Sequence, residues 1–447
     1  MASPPSDPVP AADPLPGRGA DGSDDDRVVV DIERLVAGGE GLARPEGQPV
    51  VFVGAALPGE RVRARVVDRR KGWWRAELEV VEVASPARVA PPCPSVAAGC
   101  GGCDLQHADP AHQPELKATT VVDGLRRLGG LDDPRVVVGP ALPATGFRTT
   151  VRAAVVGGRA GFRRHHSHDV VVPDHCLVAH PVVDRILVEG RLAEADEVTI
   201  RVGAATGEGL VVVTPTSRGV EVPDVGGVHP TVVGRDELSA GHRAWIHEEV
   251  AGRRWRISAQ SFFQTRPDGA AALVRAVLDA VGADRAGARV VDLYSGVGLL
   301  AGSLWTDPGE PPASVVAVER SASAVADARV NLADLLAPVG GSDAADSHAA
   351  DSGPARVRVV RSDVDHWRPS HADLVIADPA RAGLGRRAVE VIVRTGARVV
   401  VLVSCDAASL GRDAALLAGA GYTFEQAELV DLFPQSHHVE VVSRFSR

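Results

Sequence analysis

From Ile257 onward the chain alternates short, wholly apolar runs with amphipathic, alanine-rich stretches, and this alternation constrains the fold more than any other feature. A run such as Val399–Val403, five apolar residues in succession, is apolar on both faces. Such a strand belongs inside a parallel sheet that is covered by helices on both sides. The same reading applies to ARVVDLYSGVGLLAGSL (strand, Gly-rich turn, helix), to SVVAVER with the helix that follows, and to VRVVRSD and ADLVIADPA. FFQTRPDG leads into a further helix, AAALVRAVLDAVG. The end, GYTFEQAELVDLFPQSHHVEVVSRFS, reads as two strands joined by a short loop at Pro434. The predicted architecture for residues 258–447 is therefore α/β and Rossmann-like, a parallel sheet of five βα units closed by a terminal β-hairpin.

The preceding chain is of a different kind. Residues 1–26 carry six Asp and one Arg, half of the chain's net charge of −10, among prolines, and are expected to form a disordered acidic tail. Residues 27–86 alternate in short β-like runs with Gly/Pro turns, which predicts an OB-like β-barrel. Arg61, Arg63 and Arg65 alternate along one predicted strand, and Lys71, Trp73, Trp74 and Arg75 follow. A cationic face beside aromatic rings suits single-stranded nucleic acid, with charges for phosphates and rings for bases; an ordinary solvated strand face is the alternative. Residues 87–257 read as a β-rich or α+β module. They hold Cys93, Cys100 and Cys103 in eleven residues, with Cys176 as a fourth candidate ligand. Grouped thiolates favour zinc or an iron–sulfur cluster. One CxxC, one upstream and one distant cysteine fit the cluster better than zinc, which more usually shows two close pairs. Residues 337–356, rich in Gly, Ser, Asp and Ala, read as a floppy insertion. Five cysteines in 447 residues suit a reducing cytoplasm, no apolar run approaches the length of a membrane span, and nothing points to an obligate protein partner.

Chemistry concentrates at the ends of the C-terminal strands. Cys405 ends the run RVVVLVSC, and Asp406 reads as the N-cap of the next helix, which would lower the thiol pKa and favour thiolate. On position alone a nucleophile and a small buried hydrophobe are both open. Asp292-x3-Gly296-x-Gly298 at a strand–helix turn is the nucleotide-binding use of glycine. Glu319 ends the next strand, where a carboxylate accepts both ribose hydroxyls, and Asp363 follows the third, where an acid can face an adenine amine. A sheet of this kind closed by a hairpin is the layout of S-adenosylmethionine (SAM) methyltransferases, whereas a dinucleotide dehydrogenase continues with parallel strands.

DLYSGVG, IADPARAG, LVSCDAASLGRD and LFPQSHHVE, in that order, with FFQ at 262–264, closely resemble the motifs of the RNA uracil-C5 methyltransferase family. The likeness covers roughly residues 27–447; the N-terminal barrel resembles that family's TRAM domain, and the four cysteines resemble the 4Fe-4S iron–sulfur ligands of its rRNA-acting branch. The resemblance implies SAM as methyl donor and RNA (rRNA or tRNA) as partner. It implies Cys405 as nucleophile and Glu440 as base, with Gln264, Tyr294, Gly296, Glu319, Asp363 and Asp378 in or beside the cofactor site. The chain departs from the family pattern at Asp406 and Arg266, where the family has Asn, at Leu299, and in a longer Cys93–Cys100 gap. An RNA-binding protein that no longer catalyses is the competing reading; the presence of both Cys405 and Glu440 argues against it. Methylation of an exocyclic amine is a third, and ADPARAG lacks the aromatic residue such enzymes usually carry.

Overall fold

The computed structural model describes residues 26–165, 167–306, 308–336 and 356–447; the expected acidic tail up to residue 25 and the expected insertion at 337–355 lie outside them. The apolar runs of the C-terminal region do form the interior of one sheet. Its order is Val357–Arg361, Ser314–Glu319, Arg289–Leu293, Leu374–Ala377, Val399–Ser404, Val441–Ser446, Thr423–Leu429 and Val136–Val138. The first five are parallel, and Val441–Ser446 runs antiparallel between Val399–Ser404 and Thr423–Leu429. Every residue of Val399–Ser404 is buried, as a strand covered on both faces requires. Pro267–Val281 packs on one face of the sheet and Gly385–Thr395 with Ala407–Gly419 on the other, which produces two separate apolar cores.

The expected boundary at residue 257 is crossed three times. Helix Gln113–Arg127 packs against Ala407–Gly419, and strand Val136–Val138 adds a parallel edge beside Thr423–Leu429. The hairpin Trp245–Val250/Arg253–Ser258 also joins the C-terminal core, with Trp255 fully buried in it. Residues 113–138 read poorly in sequence because the helix face buried there carries Lys117, Thr120 and Gln113 beside Val121 and Leu125.

Residues 27–83 make a six-stranded sheet, mostly antiparallel, around a small core of Val30, Val51, Val53, Val62 and Ala64. The expected cationic face is charge-compensated. Glu77, Glu79 and Glu82 lie along Trp73–Val83 beside the arginines, with the register shifted between Glu79 and Glu82, so that Arg61 lies 3.6 Å and Arg63 3.7 Å from Glu82, and Arg65 pairs with Glu77 at 2.5 Å. Arg75 is forked onto Glu40 at 2.7 and 2.9 Å, and Arg69 lies over the Trp74 ring. The middle region is a second six-stranded sheet, Val170–Val171, Arg159–Arg163, Thr150–Val156, Glu197–Val202, Gly209–Thr214 and Thr231–Gly234, with helix Pro181–Glu189 on one face. Among the described residues, no helix is long and apolar enough to cross a membrane.

Candidate active site

The carboxyl edge of the eight-stranded sheet collects the reactive side chains because parallel strands end there side by side. Ser404 pairs with Val441, so the next pair outward is Cys405 with Glu440. Ala377 pairs with Leu293, which brings Asp378 beside Tyr294, and Glu319 ends the strand on the other side of Leu293. Glu319, Tyr294, Asp378, Cys405 and Glu440 thus stand in that order along one edge. The last two meet only because the final strand is antiparallel, so that its beginning faces the end of Val399–Ser404.

The turn after Leu293 is tightly wound. Tyr294 adopts a left-handed φ of 62°, a conformation that costs a non-glycine residue about 1–2 kcal/mol, and Gly296 and Gly298 follow at φ 54° and 93°. The Glu319 carboxylate is fixed through both oxygens, accepting from the Gly296 N–H at 3.1 Å and the Ser321 N–H at 2.6 Å. Asp292 is wholly buried beneath this turn; its Oδ2 accepts the Ala301 N–H at 3.0 Å and its Oδ1 has no partner. Asp363 caps a short turn, accepting the Asp365 N–H, and its charge acts on the Tyr294 phenol, which burial pushes up.

The edge carries more carboxyl groups than it can ionise. Burial first, and then the charges of Asp378 and Glu319, push Asp292 up to about 8. Burial pushes Asp378 up to about 7, and burial with the neighbouring Asp378 holds Glu440 well above the ordinary carboxylate range. The expected depression of the Cys405 thiol is overturned. Asp406 does cap helix Ala407–Gly419, its side chain accepting the Ser409 N–H at 2.8 Å. Yet burial, then Glu440 and Asp378, raise the thiol to about 11, and a hydrogen bond from its own backbone N–H and the charge of Arg381 offset this only in part. Burial foremost, and the two neighbouring carboxyl groups after it, thus favour the protonated thiol.

Gln264 is buried on the segment before helix Pro267–Val281, but no hydrogen bond among the described residues ties it to the Cys405 group; Phe262, two residues earlier, is the most exposed large aromatic there. Arg266 is buried over the Phe147 ring at 4.2 Å and forked onto Asp268 at 2.7 and 2.6 Å, so it serves as an internal anchor. Sequence reasoning passed over Arg381, whose guanidinium lies 3.8 Å from Asp406 and acts on Cys405, although it stands inside the ADPARAG stretch. It also read the connection 430–440, whose LFPQSHHVE stretch it had singled out, as a short loop at Pro434. The last two strands are not joined by a short loop: this connection reaches away from the sheet to the cysteine region, where the Gln435 carbonyl accepts the Leu105 N–H and Asp104 binds His437.

Cys93, Cys100, Cys103 and Cys176 line one cavity, closed by Phe162, Val151 and Val178. Among the described residues no group of three or more His, Cys, Asp or Glu is arranged to hold a metal ion. A single zinc needs its sulfurs converging about 2.3 Å from one point, whereas the ligands of a cluster stand further apart around it. On the cavity wall the Gln106 side chain hydrogen-bonds Cys103, while the buried Arg148 Nε has no partner and its guanidinium acts electrostatically on Cys103 and Cys176. A cation with a buried free donor beside four thiols fits an anionic sulfur-rich group better than an empty apolar void. Without one, burial pushes Cys103 up to about 12.

No protein-family model matches the chain. A Streptomyces avermitilis protein described as an uncharacterized RNA methyltransferase is 36% identical to it, covering 93% of this chain and 96% of that one. The 23S rRNA (uracil(1939)-C(5))-methyltransferase RlmD of Acidithiobacillus ferrooxidans is 33% identical, again over 93% of this chain and 96% of the relative. Among solved structures, the Pyrococcus abyssi tRNA (uracil-54, C5)-methyltransferase, in complex with S-adenosyl-L-homocysteine, superposes with a TM-score of 0.68 at 24% identity and covers 94% of this chain and 100% of its own. That likeness speaks for the shared fold, and the two sequence relatives for descent: the chain belongs to the RNA uracil-C5 methyltransferase family.

Proposed function

We propose that this RNA methyltransferase transfers a methyl group from SAM to C5 of a uridine in rRNA or tRNA through a covalent bond between Cys405 and C6. The observation that carries the reading is the register of the last strand, which sets Glu440 opposite Cys405 with Asp378 beside both. C5 of uracil is too weak a nucleophile to take a methyl group unaided. Cys405 sulfur adds to C6, and the C5=C6 electron pair moves onto C5 and O4. SAM is a co-substrate and supplies the electrophilic methyl; its sulfur leaves neutral. Glu440 takes the C5 proton, the pair re-forms C5=C6, and the C6–S bond breaks to return the thiolate. Asp378, at the same edge, is suited to hydrogen-bond the uracil, and Glu319 and Asp363 to bind ribose and adenine, with Tyr294, Gly296 and Gln264 beside the cofactor. Such a base must leave its stack to enter.

The surplus of carboxyl groups gives the order of binding a physical reason. A sulfonium placed among Asp378, Glu440 and Cys405 favours the ionised form of each. Cys405 would become a competent nucleophile only once the methyl donor is present, which guards against idle adduct formation.

The discriminating test uses rRNA and tRNA transcripts made with 5-fluorouridine, whose fluorine cannot leave as a cation. With SAM present, wild-type protein should give a covalent band on a denaturing gel, and Cys405→Ala none. With ordinary RNA, Glu440→Gln should methylate once and stay attached. Methylation by Cys405→Ala, or the lack of any wild-type adduct, would remove the covalent mechanism.

The same reading assigns Cys93, Cys100, Cys103 and Cys176 to a 4Fe-4S iron–sulfur cluster, supported by the shared cavity and the Arg148 guanidinium on its wall. Bound there, the cluster would cross-link the loops that carry Cys103 and Cys176. Protein purified without oxygen should be brown and hold about four iron atoms per chain. A colourless preparation with one zinc would overturn the assignment.

A further inference from the structure

Glu440 is held on only one side by regular structure. Its carbonyl accepts the Val430 N–H at 2.8 Å, and the strand that begins at Val441 continues from it. On its other side the chain from Phe433 to Val439 forms no ladder. The hydrogen bond nearest to Glu440 on that side, among the described residues, runs from the His437 N–H to Asp104 Oδ1 at 2.8 Å; the other carboxylate oxygen of Asp104 binds His437 Nδ1. The His437 ring in turn lies against that of His438 at 4.3 Å between centroids, and His438 is two residues from Glu440. Two positions before His437, the Gln435 N–H donates to Gln113 at 2.6 Å and its carbonyl accepts from Leu105.

We propose that Asp104 is a positioning residue for the proton-transfer step: by gripping His437 through backbone and ring at once, it fixes the approach of Glu440 to C5. This rests on the covalent reading above, in which Glu440 is the base. The geometry supports a role in one step rather than in the fold as a whole. Asp104 touches neither Cys405 nor the Gly296 turn, and the sheet that carries both is closed by Ser404–Val441 pairing without it. What it fixes is the free approach to Glu440. A base displaced by about 1 Å can lose up to about 100-fold in rate.

The test follows the two halves of the reaction separately in anaerobically purified full-length protein. Total RNA from cells lacking the protein and methyl-labelled SAM are used, with label in RNA and label in a denaturation-resistant protein–RNA adduct read over time. In Asp104→Ala the first methyl transfer should stay within about two-fold of wild type while release of methylated RNA slows at least about ten-fold, so that the adduct accumulates. SAM affinity and iron content should match wild type. Asp104→Asn keeps an oxygen for the His437 N–H and should restore release to within about three-fold of wild type. Release by Asp104→Ala at the wild-type rate would overturn the proposal. So would loss of methyl transfer, SAM affinity and release together, which marks a general structural role. Failure of the underlying reading looks different: Glu440→Gln would then release methylated RNA normally whatever Asp104 variants do.

Discussion

At the scale of single residues, Asp292 shows how a site can be visible in sequence while its electrostatics are not. Its place before a Gly-x-Gly turn is legible from spacing. Its complete burial, with one carboxylate oxygen unpartnered, depends on the helix and strands packed around it. Because its folded pKa of about 8 lies above that of an unfolded aspartate, the folded state binds the extra proton. Its contribution to stability is complete below about pH 4 and is lost as pH rises through about 8, at up to about 1.4 kcal/mol per pH unit. Asp292→Asn, which keeps an oxygen for the Ala301 N–H, should therefore flatten the fall in melting temperature between pH 5 and 8. An unchanged slope would mean that the carboxyl is ionised throughout. The meeting of Cys405 and Glu440 was legible, since strand order alone brings them together. The thiol's raised pKa was not, because it comes first from burial and then from two carboxyl groups brought in by separate stretches of chain.

At the scale of elements, the helix that starts beside Cys405 is aimed by a crossing of backbones rather than by side chains. Gly124 of Gln113–Arg127 lies so close to Ala407–Gly419 that a Cβ built there would stand 2.5 Å from the Ala407 carbonyl oxygen. In an exposed helix Gly→Ala gains up to about 1 kcal/mol. Here the clash is with backbone, which cannot rotate away, so Gly124→Ala should instead destabilise by about 1–3 kcal/mol. It should also slow methylation, because the residue displaced is two positions from Cys405; a raised melting temperature would contradict this. Strands and helices of the C-terminal sheet were readable from apolar period. The pairing of Arg61, Arg63 and Arg65 with Glu77, Glu79 and Glu82 was not, since it required knowing which strands are neighbours.

At the scale of the whole molecule, the C-terminal domain is not a C-terminal segment. It borrows the helix Gln113–Arg127, the edge strand Val136–Val138 and the hairpin that buries Trp255. Loss of a buried tryptophan alone costs about 3–5 kcal/mol. A fragment of residues 258–447 should accordingly show no cooperative thermal transition under conditions where the full chain does; a sharp transition would show the borrowed pieces to be dispensable. The N-terminal sheet was recognisable from its alternation, whereas the borrowed pieces have no local signature, because a three-residue strand and a half-polar helix become meaningful only against the surface they cover. The edge strand has a consequence for how the protein is made. Val136–Val138 leaves the ribosome early, but its strand partner among the described residues, Thr423–Leu429, is among the last stretches to emerge. For most of synthesis the backbone groups of that strand have no ladder to join, and an unpaired strand edge is a template for pairing with another chain.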